Sequence, residues 1–162
     1  MKIVDTKILS DSHKKDIYTL WNKEYPKNLS YSKLSQFDDY LRKLDEQSHL
    51  LLIDEQEKIK GWYFSFDRAN EHWFAMILDT SIQGNGWGTK LLNTAKEKDS
   101  ILNAWGIDHS NDVKQDGTPY SSPIEFYLKN GFEIISSERL ELDHISAVKI
   151  RWDNSFSHSP SD

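Results

Sequence analysis

The chain has 162 residues, a formal net charge of −6, no cysteine, 37% hydrophobic and 12% aromatic residues. That composition fits one domain burying about 70% of its unfolded surface and excludes a disordered chain; the missing cysteine excludes disulfides, thiolate metal sites and a cysteine acyl-enzyme. The acidic balance argues against a nucleic-acid partner, no apolar run approaches the roughly 18 residues of a membrane span, and Met1–Asp5 lacks the apolar segment of a signal peptide, so a cytoplasmic location away from membranes is expected.

Lys2 to Leu9 alternates enough for a first strand. Asp11 or Ser12 can cap a helix that reaches Tyr25, with Ile17, Leu20 and Trp21 on one face, and Pro26 stops it. A second helix is predicted from Ser32 to Leu44 on the stripe Leu34, Phe37, Leu41 and Leu44. Leu50 to Ile53 is a continuous apolar run, hence a strand covered on both faces. Ile59–Phe66 and the segment ending at Leu78 follow as strands around the Arg68-Ala69-Asn70 turn. Trp87 to Lys98 reads as a helix packing Leu91, Leu92 and Ala95, and Ile101–Ile107 as a strand. A long polar connection, Asp108–Ser122, leads to a late helix with Ile124, Tyr127 and Leu128 facing one way. Phe132–Ile135 and Ala147–Trp152 form a closing hairpin. The Ser-rich 153–162 segment is expected to be a flexible tail behind one domain of residues 1–152.

The most informative stretch runs from Gln83 to Leu92: Gln-Gly-Asn-Gly-Trp-Gly-Thr-Lys-Leu-Leu. A strand, a glycine loop and a helix start together make a pyrophosphate cradle, because glycine lets the backbone approach closely and the helix N-terminus presents unpaired N–H groups. The stretch lacks the Gly-Lys-Ser/Thr ending of a Walker loop and the Gly-x-Gly-x-x-Gly spacing of a dinucleotide site. Gln83, Gly86 and Gly88 do fit Gln/Arg-x-x-Gly-x-Gly/Ala.

That pattern resembles the acetyl-CoA loop of the GNAT (N-acetyltransferase) superfamily. The block Pro123–Phe132, with Tyr127 ahead of Gly131-Phe132, is similar to the family's late helix. The resemblance implies an α/β (α+β) fold: a mixed, mainly antiparallel central sheet of six to seven strands, splayed between strands four and five, with helices on both faces. It implies acetyl-CoA as co-substrate, an amine acceptor, no metal, and a monomer or homodimer. Met76, Ile77 and Leu78 would line the pantetheine arm, with the Leu78 amide facing the thioester carbonyl. Gln83, Gly84, Asn85, Gly86, Trp87, Gly88 and Thr89 would hold the pyrophosphate, and a valine at Gly86 or Gly88 is expected to block it while sparing the fold.

Tyr127 matches the family's proton donor to the departing thiolate; its bland alternative is packing on the helix face. The general base stays open among His72, its neighbour Glu71, Asp108, His109 and water. Tyr120 stands where the family often carries an asparagine. The insert's acids lack the closing glutamate of a calcium loop, so no metal is expected there. Asp108, Asp112 and Asp116 against Lys114 instead favour a cationic acceptor lined by the insert. Two functions fit: an N-acetyltransferase for a small molecule or peptide amine, working by direct attack in a ternary complex, or a non-catalytic acyl-CoA-binding module. A different acyl-CoA donor is a variant of the first.

Overall fold

The computed structural model describes residues 1–157. Strand β1 (Lys2–Thr6) is followed by helix α1 (Asp11–Glu24), which starts where the Ser10 side chain accepts from the His13 amide at 3.0 Å. Helix α2 (Leu34–Arg42) starts where Gln36 Oε1 accepts from the Ser32 and Lys33 amides. Three antiparallel strands come next: β2 (Asp45–Ile53), β3 (Ile59–Arg68) and β4 (Glu71–Leu78). Helix α3 (Trp87–Lys98), strand β5 (Ile101–Gly106), helix α4 (Ile124–Lys129) and the hairpin β6 (Glu133–Leu142) and β7 (Ile145–Asp153) follow. A short turn of helix, α5 (Asn154–Ser157), continues from β7; of the expected tail, residues 158–162 lie outside the described residues.

The seven strands form one sheet in the order β1-β2-β3-β4-β5-β7-β6, with β4 and β5 parallel. Side-chain alternation along the strands splits the core in two. Leu51, Ile53, Trp62, Phe64 and Phe66 face α1 and α2, which contribute Ile17, Leu20, Trp21, Phe37 and Leu41. Leu50, Tyr63, Phe74, Ala104, Val148 and Ile150 face α3 and α4, which contribute Leu91, Leu92, Ala95 and Tyr127. Helices therefore cover both faces, as expected.

Several bounds differ from the sequence expectation. β2 starts at Asp45, through polar residues, because Asp45 and Ser48 pair with Asp67 and Ser65 of β3 across a bulge where Glu46 has φ 53°; cross-strand pairing overrides the low strand preference of those side chains. The β6–β7 hairpin is also longer than expected, running to Leu142 and Ile145 across a register shift between Ile135 and Arg139. On α4, Leu128 is 45% exposed rather than packed; Ile124, Phe126 and Tyr127 make the inward face.

Candidate active site

β4 and β5 meet at one end only. Among the described residues their register is a single pair, Trp73 with Asn103. Asn103 Nδ2 donates to His72 O at 3.0 Å, and Trp73 stacks on Trp105 at 5.0 Å, which fastens that end. Beyond it the strands part. The Asp79 amide donates back to Lys60 O on the β3 side at 2.8 Å. Because backbone groups alternate sides along a strand, the Leu78 and Met76 amides then point away from β3, into the gap. A cavity of about 460 Å³ opens there, walled by Met76, Ile77 and Leu78, by Gln83, Gly84, Gly86, Gly88 and Thr89 of the loop, and by Tyr120 and Tyr127.

The loop is built to receive an anion. Gly84 and Gly86 sit at φ 81° and 87°, with open space where a Cβ would stand. Gly86 is the N-cap of α3. No acceptor among the described residues takes the backbone N–H groups of Gly84 to Thr89, so these donors and the positive end of the α3 dipole face the cavity mouth unpaired. Gln83 Nε2 donates to Leu78 O at 2.9 Å, tying the loop to the end of β4. Asn85 and Trp87 do not line the cavity; the Trp87 ring lies 4.2 Å from Lys90 Nζ. This arrangement fits the pyrophosphate of a coenzyme A thioester. Gly88 corrects an expectation: it is buried, and a Cβ there would stand 2.9 Å from Phe126 Cζ and 3.1 Å from Leu78 Cδ1. A valine there would press on α4 and β4 and would not spare the fold, although Gly88 also lines the cavity.

Tyr127 lies on the same cavity, 7% exposed, and burial pushes its hydroxyl well above the ordinary phenol range. It stays a neutral donor at any physiological pH. A second cavity, about 290 Å³, lies behind it. Tyr25, Met76, Tyr120 and Tyr127 line both cavities, so the two spaces meet there.

The base candidates are elsewhere. His72 is six residues before Leu78 on β4, about 20 Å along an extended strand. Its Nδ1 lies 3.0 Å from Asp67, and its Nε2 approaches Asp99 at 3.1 Å without hydrogen-bond alignment. Neither cavity at Tyr127 includes it. Glu71 pairs with Lys149 at 3.0 Å, and Asp108 accepts two bonds from Arg139 at 2.8 and 3.1 Å, which holds its carboxyl below the usual range. His109 Nδ1 accepts from the Asn111 amide. None of these four side chains lines either cavity.

The insert is not a free loop either. Lys27 N donates to Val113 O at 2.8 Å, and Lys114 Nζ reaches Glu24 at 2.9 Å. Asp116 accepts from the Thr118 amide and hydroxyl. Each of the three acids expected to attract a cationic acceptor has a neighbouring partner: Asp108 pairs with Arg139, Asp116 with Thr118, and Asp112 lies 3.9 Å from His109. Glu24, missed in the sequence, is 4% exposed on the cavity wall and accepts from the Thr80 amide and hydroxyl as well as Lys114. Those bonds fill its oxygens and disqualify it as a base. Nothing in the helical spacing of α1 marked Glu24 apart from an exposed glutamate. Tyr25 was legible only as an aromatic at a helix end, and Tyr120 only as a departure from the family's asparagine; both line the cavity. Among the described residues no three His, Cys, Asp or Glu side chains come together as a metal site, and no helix is long and apolar enough to cross a membrane.

A mixed sheet opened between two parallel strands, with a bare-amide loop at its mouth, defines an acyltransferase type of fold. The acetyltransferase (GNAT) domain profile matches residues 46–134, and the chain belongs to that family. No curated protein sequence matches the chain. Solved structures share its fold. A point mutant of spermidine N-acetyltransferase SpeG from Vibrio cholerae superposes with a TM-score of 0.65 at 13% identity, covering 100% of each chain. The aminoglycoside 6'-N-acetyltransferase from Enterococcus faecium gives 0.66 at 14%, covering 95% of this chain and 97% of that one. A phosphinothricin acetyltransferase from Sinorhizobium meliloti, in complex with AcCoA, gives 0.64 at 12%, covering 94% and 89%.

Proposed function

We propose that this chain transfers an acetyl group from acetyl-CoA to a primary amine, by direct attack in a ternary complex. The observation that carries the reading is the run of unpaired amides from Gly84 to Thr89 at the mouth of the β4–β5 gap, on one cavity with Tyr127. Acetyl-CoA supplies the activated thioester. The Gly84–Thr89 amides and the α3 N-terminus bind its pyrophosphate. The Met76 and Leu78 amides, turned into the gap, hold the pantetheine arm and the carbonyl oxygen; a preorganised donor of this kind lowers the barrier by about 3 kcal/mol. The amine nitrogen forms the C–N bond as the C–S bond breaks. Its surplus proton leaves to water, and the Tyr127 hydroxyl donates to the thiolate and is reprotonated from solvent.

Acetyl-CoA binding measured by calorimetry, beside thiol release across a panel of amines, tests the proposal. Initial rates should give intersecting lines, the pattern of a ternary complex. Tight binding with no turnover on any amine would favour a non-catalytic acyl-CoA module, and turnover with a longer acyl-CoA alone would change the donor.

A further inference from the structure

We infer that the acceptor is a monoamine: one primary amine on a short alkyl chain that ends in an aromatic ring, with no second cationic group and no carboxylate. This rests on the acetyl-transfer reading and names the substrate class of the same site. The second cavity meets the first at Tyr25, Met76, Tyr120 and Tyr127. It lies on the α1–α2 side of the sheet, since Trp21, Tyr31, Tyr40, Phe66 and Trp105 on its walls all belong to that half of the core. Helix α3 of the cradle packs on the other half. An amine entering the second cavity thus reaches the gap from the face opposite the cradle helix. Ala75 makes the room for it. It sits in a central strand, yet it is partly exposed, between the large buried side chains of Trp73 and Ile77 on the same face. The hollow over its methyl belongs to the second cavity and not to the first. Ala75 is next to Met76 and about 10 Å along the strand from Leu78. A ring seated over Ala75 on a two-carbon chain therefore leaves its amine at a thioester held by those two amides.

No aspartate or glutamate lines this space. Burial raises the hydroxyls of Tyr40 and Tyr120 above the ordinary phenol range, so these tyrosines stay neutral and supply no counter-charge. The aromatic faces can receive one ammonium before it loses its proton. A polyamine or aminoglycoside would bring further ammonium groups into the space uncompensated, which is costly. Arg68, the lining guanidinium, is exposed and stands in register with Glu71, seven residues along β4 from Leu78. It is too far to hold a carboxylate set one carbon from the reacting amine. What the site offers is apolar burial of a ring against aromatic walls. At about 290 Å³ the cavity is at the small end for ligand sites, suited to one such group.

The test uses the full chain with phenethylamine, ethylamine, L-phenylalanine and spermidine as acceptors. Phenethylamine should exceed ethylamine in kcat/KM by about 30-fold, the effect of burying one ring. It should exceed L-phenylalanine and spermidine by about tenfold, since each brings a charge without a partner. Ala75→Ile fills the hollow with a side chain that suits a strand. It should raise the KM for phenethylamine about tenfold and leave acetyl-CoA affinity, read by calorimetry, unchanged; Ala75→Val, with a smaller rise, serves if the isoleucine variant does not fold. Ethylamine equal to phenethylamine, spermidine or L-phenylalanine as the best acceptor, or an unaltered KM in the folded variant would overturn the inference. Binding of phenethylamine, followed by tryptophan fluorescence with and without CoA, separates the two readings. A saturable change that weakens in the Ala75 variant supports the inference even if no acetyl transfer is found. No change under either condition overturns it even if acetyl transfer to another amine is found.

Discussion

Gly88 of α3 and Phe126 of α4 are in such close contact that a Cβ on the glycine would stand 2.9 Å from the ring. The cradle helix and the late helix thus lock together at the cofactor cavity. Gly86, two residues earlier, meets nothing within 4 Å and sits at φ 87°. The two glycines should respond differently. Gly88→Val should cost about 1–3 kcal/mol by overpacking and lower the melting temperature. Gly86→Ala should cost about 1 kcal/mol of backbone strain, yet weaken acetyl-CoA binding about tenfold by intruding on the amides. Scanning fluorimetry and calorimetry on both variants check this; equal melting temperatures for wild type and Gly88→Val would contradict the packing role.

Tyr127→Phe keeps the ring among Phe74, Phe126 and Phe132 and removes only the hydroxyl. The expected result is a kcat about 10²-fold lower with acetyl-CoA affinity unchanged. An unaltered kcat would make Tyr127 a packing residue and hand the thiolate's proton to water.

Glu24 joins three parts of the site: the end of α1, Thr80 ahead of the cradle, and Lys114 of the insert. Its side chain is 3% exposed and that of Lys114 16%. Removing one partner of such a buried pair strands the other charge, so Glu24→Ala should lose about 3 kcal/mol. Urea denaturation measures it, and calorimetry should show weaker acetyl-CoA binding because Thr80 loses its anchor. A wild-type denaturation midpoint would show that the backbone keeps its course without the carboxylate.

His49 gives the fold a pH dependence. Its ring is 1% exposed; Nδ1 accepts from the Trp62 indole N–H at 3.0 Å, so the proton sits on Nε2, facing Gln47 Oε1 at 3.0 Å. Burial lowers its pKa from 6.5 to about 4. The folded value lies below the unfolded one, so between these values the unfolded chain binds the extra proton. Stability is full above pH 6.5 and falls as the pH drops toward 4, by up to about 3 kcal/mol. Urea midpoints measured from pH 7.5 to 4 should show this slope, and His49→Gln should flatten it. The same slope in the variant would assign it to other groups.

The order of strands and helices was legible because the apolar periods of α1, α2 and α3 and the continuous runs in β2 to β4 each reflect burial on a known face. The cradle was legible because its glycines stand at fixed offsets from a strand end. The polar half of β2 and the outer half of the hairpin were not, since Asp45 and Ser48 become strand through Asp67 and Ser65, and Arg139–Leu142 through Ile145–Val148, pairings that no apolar period marks. His72 looked available as a base because sequence spacing does not show that it lines neither cavity at Tyr127. The second cavity was hidden for the same reason: Trp21, Tyr40, Phe66, Trp105 and Leu142 come from five elements and share no motif.

A sheet that opens in its middle has four edges, not two. β1 and β6 are the outer ones; β4 and β5 supply a second pair along the gap. Unpaired edges normally invite another chain to add itself and aggregate. Here the inner pair is roofed by Tyr25 and Tyr120 on one side and by the cradle and Phe126 on the other. A slender ligand can slip in and a folded neighbour cannot. The gap thus works as a size filter on β-pairing, and its protection from intermolecular association should deepen when acetyl-CoA fills the slot.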